Sequence, residues 1–322
     1  MPFYLKANSK INMETCKLKG ACKNYIWGGN KLKKIGKDSN DESIAESWEL
    51  SFLKDGLCKI DSGINKGKYL ADIVSSKDLG TYVTTYPFFP VLVKLIDSKE
   101  NLSVQVHPND EYALKHENSF GKTEMWYILE AEENAKLYLG FKNKSSKEQV
   151  LDSLKNNQLL ELLNAYNVKQ NDCFIIESGT IHAIGAGITL LEIQQNSNLT
   201  YRLYDYQRVD KNGKLRELHI DKALEVIDYS PYRPLKEKKE CLISCKYFSV
   251  YKKDSTIKDI QADESSFITL TITNGEGFIN DLPCKKWDTF FIPATKHCTL
   301  KGQFEFVLTT IERPYSSFKN AF

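Results

Sequence analysis

The sequence predicts a mainly β protein assembled from two barrel-like units, with one small helical segment. Three observations predict it. The 322 residues are 41% hydrophobic and 11% aromatic, with 17 Tyr and 16 Phe. A chain of that length can bury a large core, and aromatic side chains suit half-buried pleated surfaces. Short apolar stretches alternate with turn residues, a spacing typical of a barrel or sandwich. Finally, the stretch Asp172 to Ser178 (DCFIIES) returns as Asp288 to Ala294 (DTFFIPA), the mark of one unit used twice.

Taken in order, Trp27-Gly28-Gly29 is a turn signal, and Glu46 to Phe52 alternates polar with apolar like a strand. Pro87 to Leu95 is an apolar run with one Lys, read as a buried strand ending at Asp97. Leu102 to His107, Glu124 to Leu129 and Ala135 to Phe141 read as strands, with a short helical turn between Asn109 and Lys122. Residues 145–165 read as helix. Ser145 followed by Glu148 is a capping-box pattern, Val150, Leu151, Leu154 and Leu159 to Leu163 supply the apolar face, and Asn156-Asn157 breaks it. Strands resume at Asp172 to Ile176 and Ile188 to Gln194. Ile220, Ala223, Leu224 and Ile227 have the spacing of an amphipathic helix. Pro231 and Pro234 end it and open a linker, placing a domain boundary near 235 between a catalytic unit (1–235) and a C-terminal unit (236–322). In the latter, Phe267 to Thr273, Thr289 to Ile292 and Phe304 to Thr309 are the clearest strands.

Lys and Arg number 44 against 42 Asp and Glu. That near-balance lacks the clustered basic face of a nucleic-acid binder. Lys236 to Glu240 alternates in sign and reads as a solvated connector. Eight cysteines stand at irregular spacings; Cys241 and Cys245 have a zinc-knuckle spacing, but no second pair follows. They read as reduced thiols of a cytoplasmic protein. The first six residues lack the apolar run of a signal peptide, and no stretch is long enough to span a bilayer. The expected partner is therefore a small molecule, with neither nucleic acid nor membrane involved, and the expected assembly is a monomer or weak homo-oligomer.

The residues that carry chemistry lie in the first two-thirds. Gln105 and His107 are two apart on a strand, so they share a face. Glu124 opens the next strong strand, and His182 follows the turn Glu177-Ser178-Gly179-Thr180-Ile181. Two imidazoles, a carboxylate and an amide oxygen suit zinc, and also iron or manganese. A donor set without thiolate points away from a structural zinc site.

Several stretches, in order, resemble the type I mannose-6-phosphate isomerases in their short bacterial form. They are Ile26 to Gly29, Glu46 to Ser51, Ser103 to Asp110 (SVQVHPND), Lys122 to Tyr127 (KTEMWY), Gly179 to Ala183 (GTIHA) and Thr200 to Asp205 (TYRLYD). The resemblance is strong over two-thirds of the chain and looser beyond. It implies double jelly-roll barrels of the cupin type, and one zinc ion held by Gln105, His107, Glu124 and His182. Lys94, Lys122 and Ser103 match pocket positions. Glu192 and Arg202 match a carboxylate and an arginine facing substrate, and Arg208 falls where longer relatives carry a second basic residue. Family members often have Pro where this chain has Glu177. In the C-terminal copy Thr295 stands for Gly179 and Cys298 for His182, with His297 one residue out of register, so that copy is expected to bind no metal.

The implied reaction interconverts mannose-6-phosphate and fructose-6-phosphate through a cis-enediol. Glu192 is the candidate base, since a carboxylate in a dry pocket has its pKa raised; Lys94 and Lys122 are rivals. Arg202 either grips the phosphate bidentately or stabilises enediolate charge, while Ser103 and Arg208 are further phosphate candidates. Trp27 either stacks on the sugar or belongs to the core, and Trp48 reads as core. A cupin oxygenase is the first competing class, but it prefers two His and one carboxylate with open positions; Gln105 and the basic residues favour an anionic substrate. A non-catalytic sugar-phosphate sensor is the second.

Overall fold

The computed structural model describes residues 13–210, 212–234 and 241–315. The opening six residues and the connector Lys236 to Glu240 lie outside these. The protein is mainly β, with its strands in three sheets, as the sequence predicts. Among the described residues no helix is long and apolar enough to cross a membrane, and no disulfide joins the eight cysteines.

The chain divides into two compact units, but not simply at a point near 235. One unit falls within the spans Met1–Ala21, Trp48–Val93 and Glu237–Phe322, and the other within Cys22–Ser47 and Lys94–Lys236. The reason lies in strand pairing. Strand Cys16–Lys19 is antiparallel to Thr289–Ile292, with Cys16 opposite Phe291 and Leu18 opposite Thr289. An N-terminal strand thus covers what would otherwise be an open edge of a C-terminal strand, a pairing too remote in sequence to read from local pattern.

The first unit holds a nine-stranded sheet centred on two long strands, Ile268–Ile279 and His297–Thr310. Both outrun the expected segments. Gly275, with φ +78°, and Gly277 and Gly302 interrupt the apolar pattern in their middles, yet the two strands stay paired through Glu276 to Gln303 and Gly277 to Gly302. Leu270, Ile272, Phe290, Ile292 and Phe306 form a fully enclosed core.

Two further sheets carry the candidate site. The six-stranded sheet runs Cys173–Ile176, Glu124–Ala131, Ile188–Gln195, Val91–Ser98, Glu46–Leu50, Ala21–Lys23. The five-stranded sheet runs Tyr201–Tyr204, Val104–Val106, His182–Ile184, Lys136–Phe141, Leu163–Asn167. Strands Val91–Ser98 and Ile188–Gln195 are buried at every position, which is why their sequences run apolar instead of alternating. The first begins four residues later than the apolar run. Pro87 and Pro90 lack N–H donors and cannot join the ladder.

The helical expectations hold with shifted bounds. Asp110–Glu117 is a full helix where a short turn was expected. Asn109 caps it by accepting from Tyr112 N, Asp110 and Glu111 lie in its first turn, and Asn118 ends it at φ 49°. Helix Lys147–Lys155 is capped by Ser146, not Ser145. It stops at Asn156-Asn157, resumes over Leu159–Leu162, and gives way to strand at Leu163. Helix Ile220–Val226 buries Ala223 and Leu224.

The internal echo is structural. Cys173–Ile176 and Thr289–Ile292 are both four-residue strands. The turns after them bend alike: Gly179 has φ +90° and Thr295 φ +67°. Beyond the turn, His182 is buried on its strand, whereas His297 is exposed and Cys298 enclosed.

Candidate metal centre and active site

Antiparallel partners share a face, and this builds one wall of the site. Glu192 is opposite Trp126 and Gln194 opposite Glu124, so Glu124, Trp126 and Glu192 all point the same way from the six-stranded sheet. The other wall comes from the five-stranded sheet. There Gln105 is opposite both His182 and Arg202 in its two neighbouring strands. His107 follows Gln105 on the same face.

The two walls meet at Glu124. Its Oε2 is 3.5 Å from His107 Nε2, and its Oε1 is 3.4 Å from His182 Nε2. The ligand atoms of His107, Glu124 and His182 all lie within 4.8 Å of one another, and all three residues are buried. Gln105 Nε2 is 3.3 Å from His182 Nε2; rotating the amide by half a turn presents its oxygen instead. Of the four expected residues, His107, Glu124 and His182 therefore cluster, and Gln105 reaches His182.

The donor chemistry fits a divalent cation. His107 Nδ1 donates to Leu199 O at 2.9 Å and His182 Nδ1 donates to Thr180 O at 2.8 Å. Each backbone carbonyl accepts the ring's N–H and leaves the Nε2 lone pair facing Glu124, an arrangement common behind metal-bound histidines. Glu124 Oε1 has no hydrogen-bond donor among the described residues. Burial lowers the His182 pKa, and burial together with the Lys122 charge pushes His107 down to about 3. Burial alone would raise Glu124, but Lys122 and the two histidines hold it well below the usual range. Two neutral imidazoles and one carboxylate are the protonation states that metal binding requires. Lys122 Nζ reaches the same donors, 2.6 Å from Glu124 Oε2 and 3.1 Å from His107 Nε2.

The turn that delivers His182 has Glu177 instead of the family's Pro. Hydrogen bonds fix it: Gly179 N donates to His107 O at 2.8 Å, Thr180 N to Glu177 O, and Asp228 N to Gly179 O. The first of these ties the turn directly to another ligand.

A cavity of about 230 Å³ borders this centre at Gln105 and Lys122. Glu46, Lys94, Lys122, Glu192, Ser103, Gln105, Arg202, Tyr25, Trp27 and Arg216 are among its lining residues. Lys94 Nζ sits 3.1 Å from Glu192 Oε1 and 3.7 Å from Glu46 Oε2. Burial would lower Lys94, but Glu46, Glu192 and Glu124 outweigh it and hold its pKa above the ordinary lysine value. Glu192 is shifted upward, by burial and then by the Glu124 charge, against the pull of Lys122 and Lys94. Trp126 Nε1 donates to its other oxygen at 3.0 Å.

Among the described residues, Arg202 makes no ion pair. Its Nε donates to Ser103 Oγ at 3.2 Å and its Nη1 to the Glu217 carbonyl at 2.7 Å. Burial, then the charge of Arg216, lowers its pKa. Trp27 is 3% exposed within a core cluster and also lines the cavity, stacked on Tyr25. Trp48 is wholly buried.

Arg208, also expected among the substrate-binding residues, is held by its neighbours. It is not among the residues lining the cavity. Its guanidinium is tied to Asp205 Oδ1 at 2.6 Å and to the Asn101 carbonyl, and the Tyr206 ring lies 5.0 Å away. Arg216 and Glu46 line the cavity but were not singled out from the sequence. Glu46 lies within a recognised stretch. No local signal marks Arg216, which a loop separates from the motif that it joins.

Residues 15–151 match the family profile of phosphomannose isomerase type I, catalytic domain. The chain is 38% identical to mannose-6-phosphate isomerase ManA of Bacillus subtilis over 285 residues, 84% of this chain and 90% of that one. It is 33% identical to mannose-6-phosphate isomerase of Streptococcus mutans, over 88% of this chain and 93% of the relative. Among solved structures, the mannose 6-phosphate isomerase from Bacillus subtilis superposes with a TM-score of 0.82 at 33% identity, covering 92% of this chain and 99% of that one. A putative mannosephosphate isomerase from Archaeoglobus fulgidus, 21% identical over 95% of this chain and all of that one, shares the fold with a TM-score of 0.77. The cupin architecture expected from the resemblance is the fold of these structures.

Proposed function

This chain belongs to the type I phosphomannose isomerase family, and we propose that it interconverts mannose-6-phosphate and fructose-6-phosphate with one zinc ion per chain. The observation that carries the reading is the buried His107–Glu124–His182 cluster, contacted by Gln105 and Lys122, which line the same cavity as Glu192 and Arg202. A bound divalent cation would act as a Lewis acid, stabilising negative charge as it develops on the C1 and C2 oxygens.

Gln105, His107, Glu124 and His182 would hold the ion. Glu192 takes the C2 proton and returns it at C1 through a cis-enediol, while a hydroxyl proton passes from the C2 oxygen to the C1 oxygen. Its raised pKa makes it a better acceptor than an ordinary carboxylate at neutral pH. Lys94 keeps its proton and anchors one oxygen of Glu192, while the Trp126 indole anchors the other, so the base is held in one orientation. Arg202, opposite the ligand strand and braced by Ser103 and the Glu217 carbonyl, stabilises enediolate charge without needing to reorganise. Lys122 positions Glu124 and adds positive charge at the same edge. Tyr25 and Trp27 provide an apolar side for the sugar.

The test is a coupled assay with mannose-6-phosphate and glucose-6-phosphate, before and after chelation and zinc restoration. The mannose ester turns over, the glucose ester does not, and chelation abolishes turnover until zinc returns. Stoichiometric binding of the mannose ester without turnover by zinc-loaded protein would replace the isomerase with a sensor. Turnover indifferent to chelation would remove the metal from the reaction.

A further inference from the structure

We propose that Arg216, not Arg208, grips the phosphate of the substrate. The inference rests on the sugar-phosphate reading above and names the residue that would recognise the anionic end.

Three observations converge. Arg202 and Arg216 both line the cavity, and Arg216's charge is close enough to disfavour that of Arg202. Two guanidinium groups repelling each other beside one cavity form a site that a dianion would relieve. Next, Arg216 is pre-oriented. Its Nε donates to Asp205 Oδ2 at 2.7 Å and its Nη2 to Asp205 Oδ1. Its Nη1 makes no hydrogen bond among the described residues, which leaves a donor for an incoming oxygen. Last, every guanidinium nitrogen of Arg208 is already engaged. Its Nε bonds to the Asp205 carbonyl, its Nη1 to the Asn101 carbonyl and its Nη2 to the Asp205 carboxylate.

Asp205 explains the division of labour. A single carboxylate, 5% exposed, is shared by both arginines. Burial would raise its pKa, but hydrogen bonds from Arg216 and Arg208 bring it below the usual range. Arg208 braces Asp205 from one side, Asp205 holds Arg216 from the other, and Arg216 meets the ligand. Arg202 is then left for the reacting end.

Calorimetric titration with inorganic phosphate tests this without depending on turnover. The proteins are wild type, Arg216→Met, Arg216→Lys and Arg208→Met, each checked for folding by thermal melting. Arg216→Met is expected to weaken phosphate binding by about tenfold or more, and Arg216→Lys by less, since a lysine keeps the charge but loses the fork. Arg208→Met should weaken it by no more than about threefold, having lost a brace and not a contact. In parallel, Arg216→Met should raise KM for mannose-6-phosphate far more than it lowers kcat. Phosphate binding unchanged in Arg216→Met, or weakened as much in Arg208→Met, would overturn the proposal, as would a wild type that binds no phosphate. If wild type binds phosphate through Arg216 yet turns over no mannose ester, the isomerase reading falls while this assignment stands.

Discussion

The indole N–H of Trp126 donates to Glu192 Oε2 at 3.0 Å, while the edge of the same ring meets His182 at a centroid distance of 5.4 Å. One side chain thus touches both the candidate base and a candidate metal ligand, because Trp126 lies opposite Glu192 in the ladder and two residues beyond Glu124. Four expectations follow from relationships of this kind.

Trp126→Phe keeps most of the ring and removes the donor. A buried carboxylate oxygen loses its hydrogen bond, at a cost of about 1–3 kcal/mol. The pKa of Glu192, already raised, rises further, because the lost bond had favoured the ionised form. A base that must be deprotonated then fails at higher pH, so the acidic limb of the kcat profile moves towards neutrality. A pH–rate series on the two proteins checks this; an unmoved limb would detach Trp126 from the base.

Glu124→Gln removes the carboxylate that Lys122 faces at 2.6 Å. Breaking a buried pair by deleting one partner costs about 3–5 kcal/mol. The amide is also a poorer ligand for a divalent cation. Elemental analysis of the purified variant should find less than one equivalent of metal, and its thermal melting should be indifferent to chelation while that of wild type is expected to fall.

Lys94→Met leaves Glu46 and Glu192 buried together without their shared cation, and unfolding in denaturant should show a loss of about 3–5 kcal/mol. Adding Glu46→Gln should recover part of it. The pH dependence has a definite sign. Because the folded pKa of Lys94 is raised above 10.5, its stabilising contribution is fully present below that value. It is lost as pH climbs from there through the folded pKa. Stability followed from pH 7 upward should show no loss from this group before about pH 10, near the unperturbed lysine pKa.

Gly121→Ala tests the backbone beside Lys122. A Cβ there would lie 2.4 Å from Asn109 C and 2.6 Å from Asp110 N, atoms of main chain that cannot swing aside. The Gly121 N–H also donates to Asp110 Oδ1, which accepts from Gln195 as well. Overpacking of this kind costs about 1–3 kcal/mol. The displaced loop carries Lys122 with it, so activity should fall by more than the loss of folded protein explains. A variant with full specific activity would show that the loop tolerates the shift.

Much of this was legible in the chain. The pairing of Gln105 with His107 needed only the two-residue period of a strand, and Glu124 and His182 sat in stretches whose order resembles one family. The buried strands of the six-stranded sheet were visible as apolar runs, and the helix over Ile220–Val226 as a periodic face. These are local features: each depends on residues within a few positions of one another. Where the expectations slipped, a local signal competed with one nearby. Pro90 delayed a strand, Ser146 capped in place of its neighbour, and glycines hid the full length of two paired strands.

Tertiary structure alone decided the rest. No local pattern pairs Cys16 with Phe291, and none joins Arg216 to Asp205 across a loop while Arg208 takes the same carboxylate from the other side. Nor does the sequence say that Lys94 stands between Glu46 and Glu192. A chain encodes which side chains a strand presents, because the period of the backbone is fixed. Which distant side chains they then meet depends on how strands from different sheets face one another, and on the mutual electrostatics of charges that become neighbours only when buried.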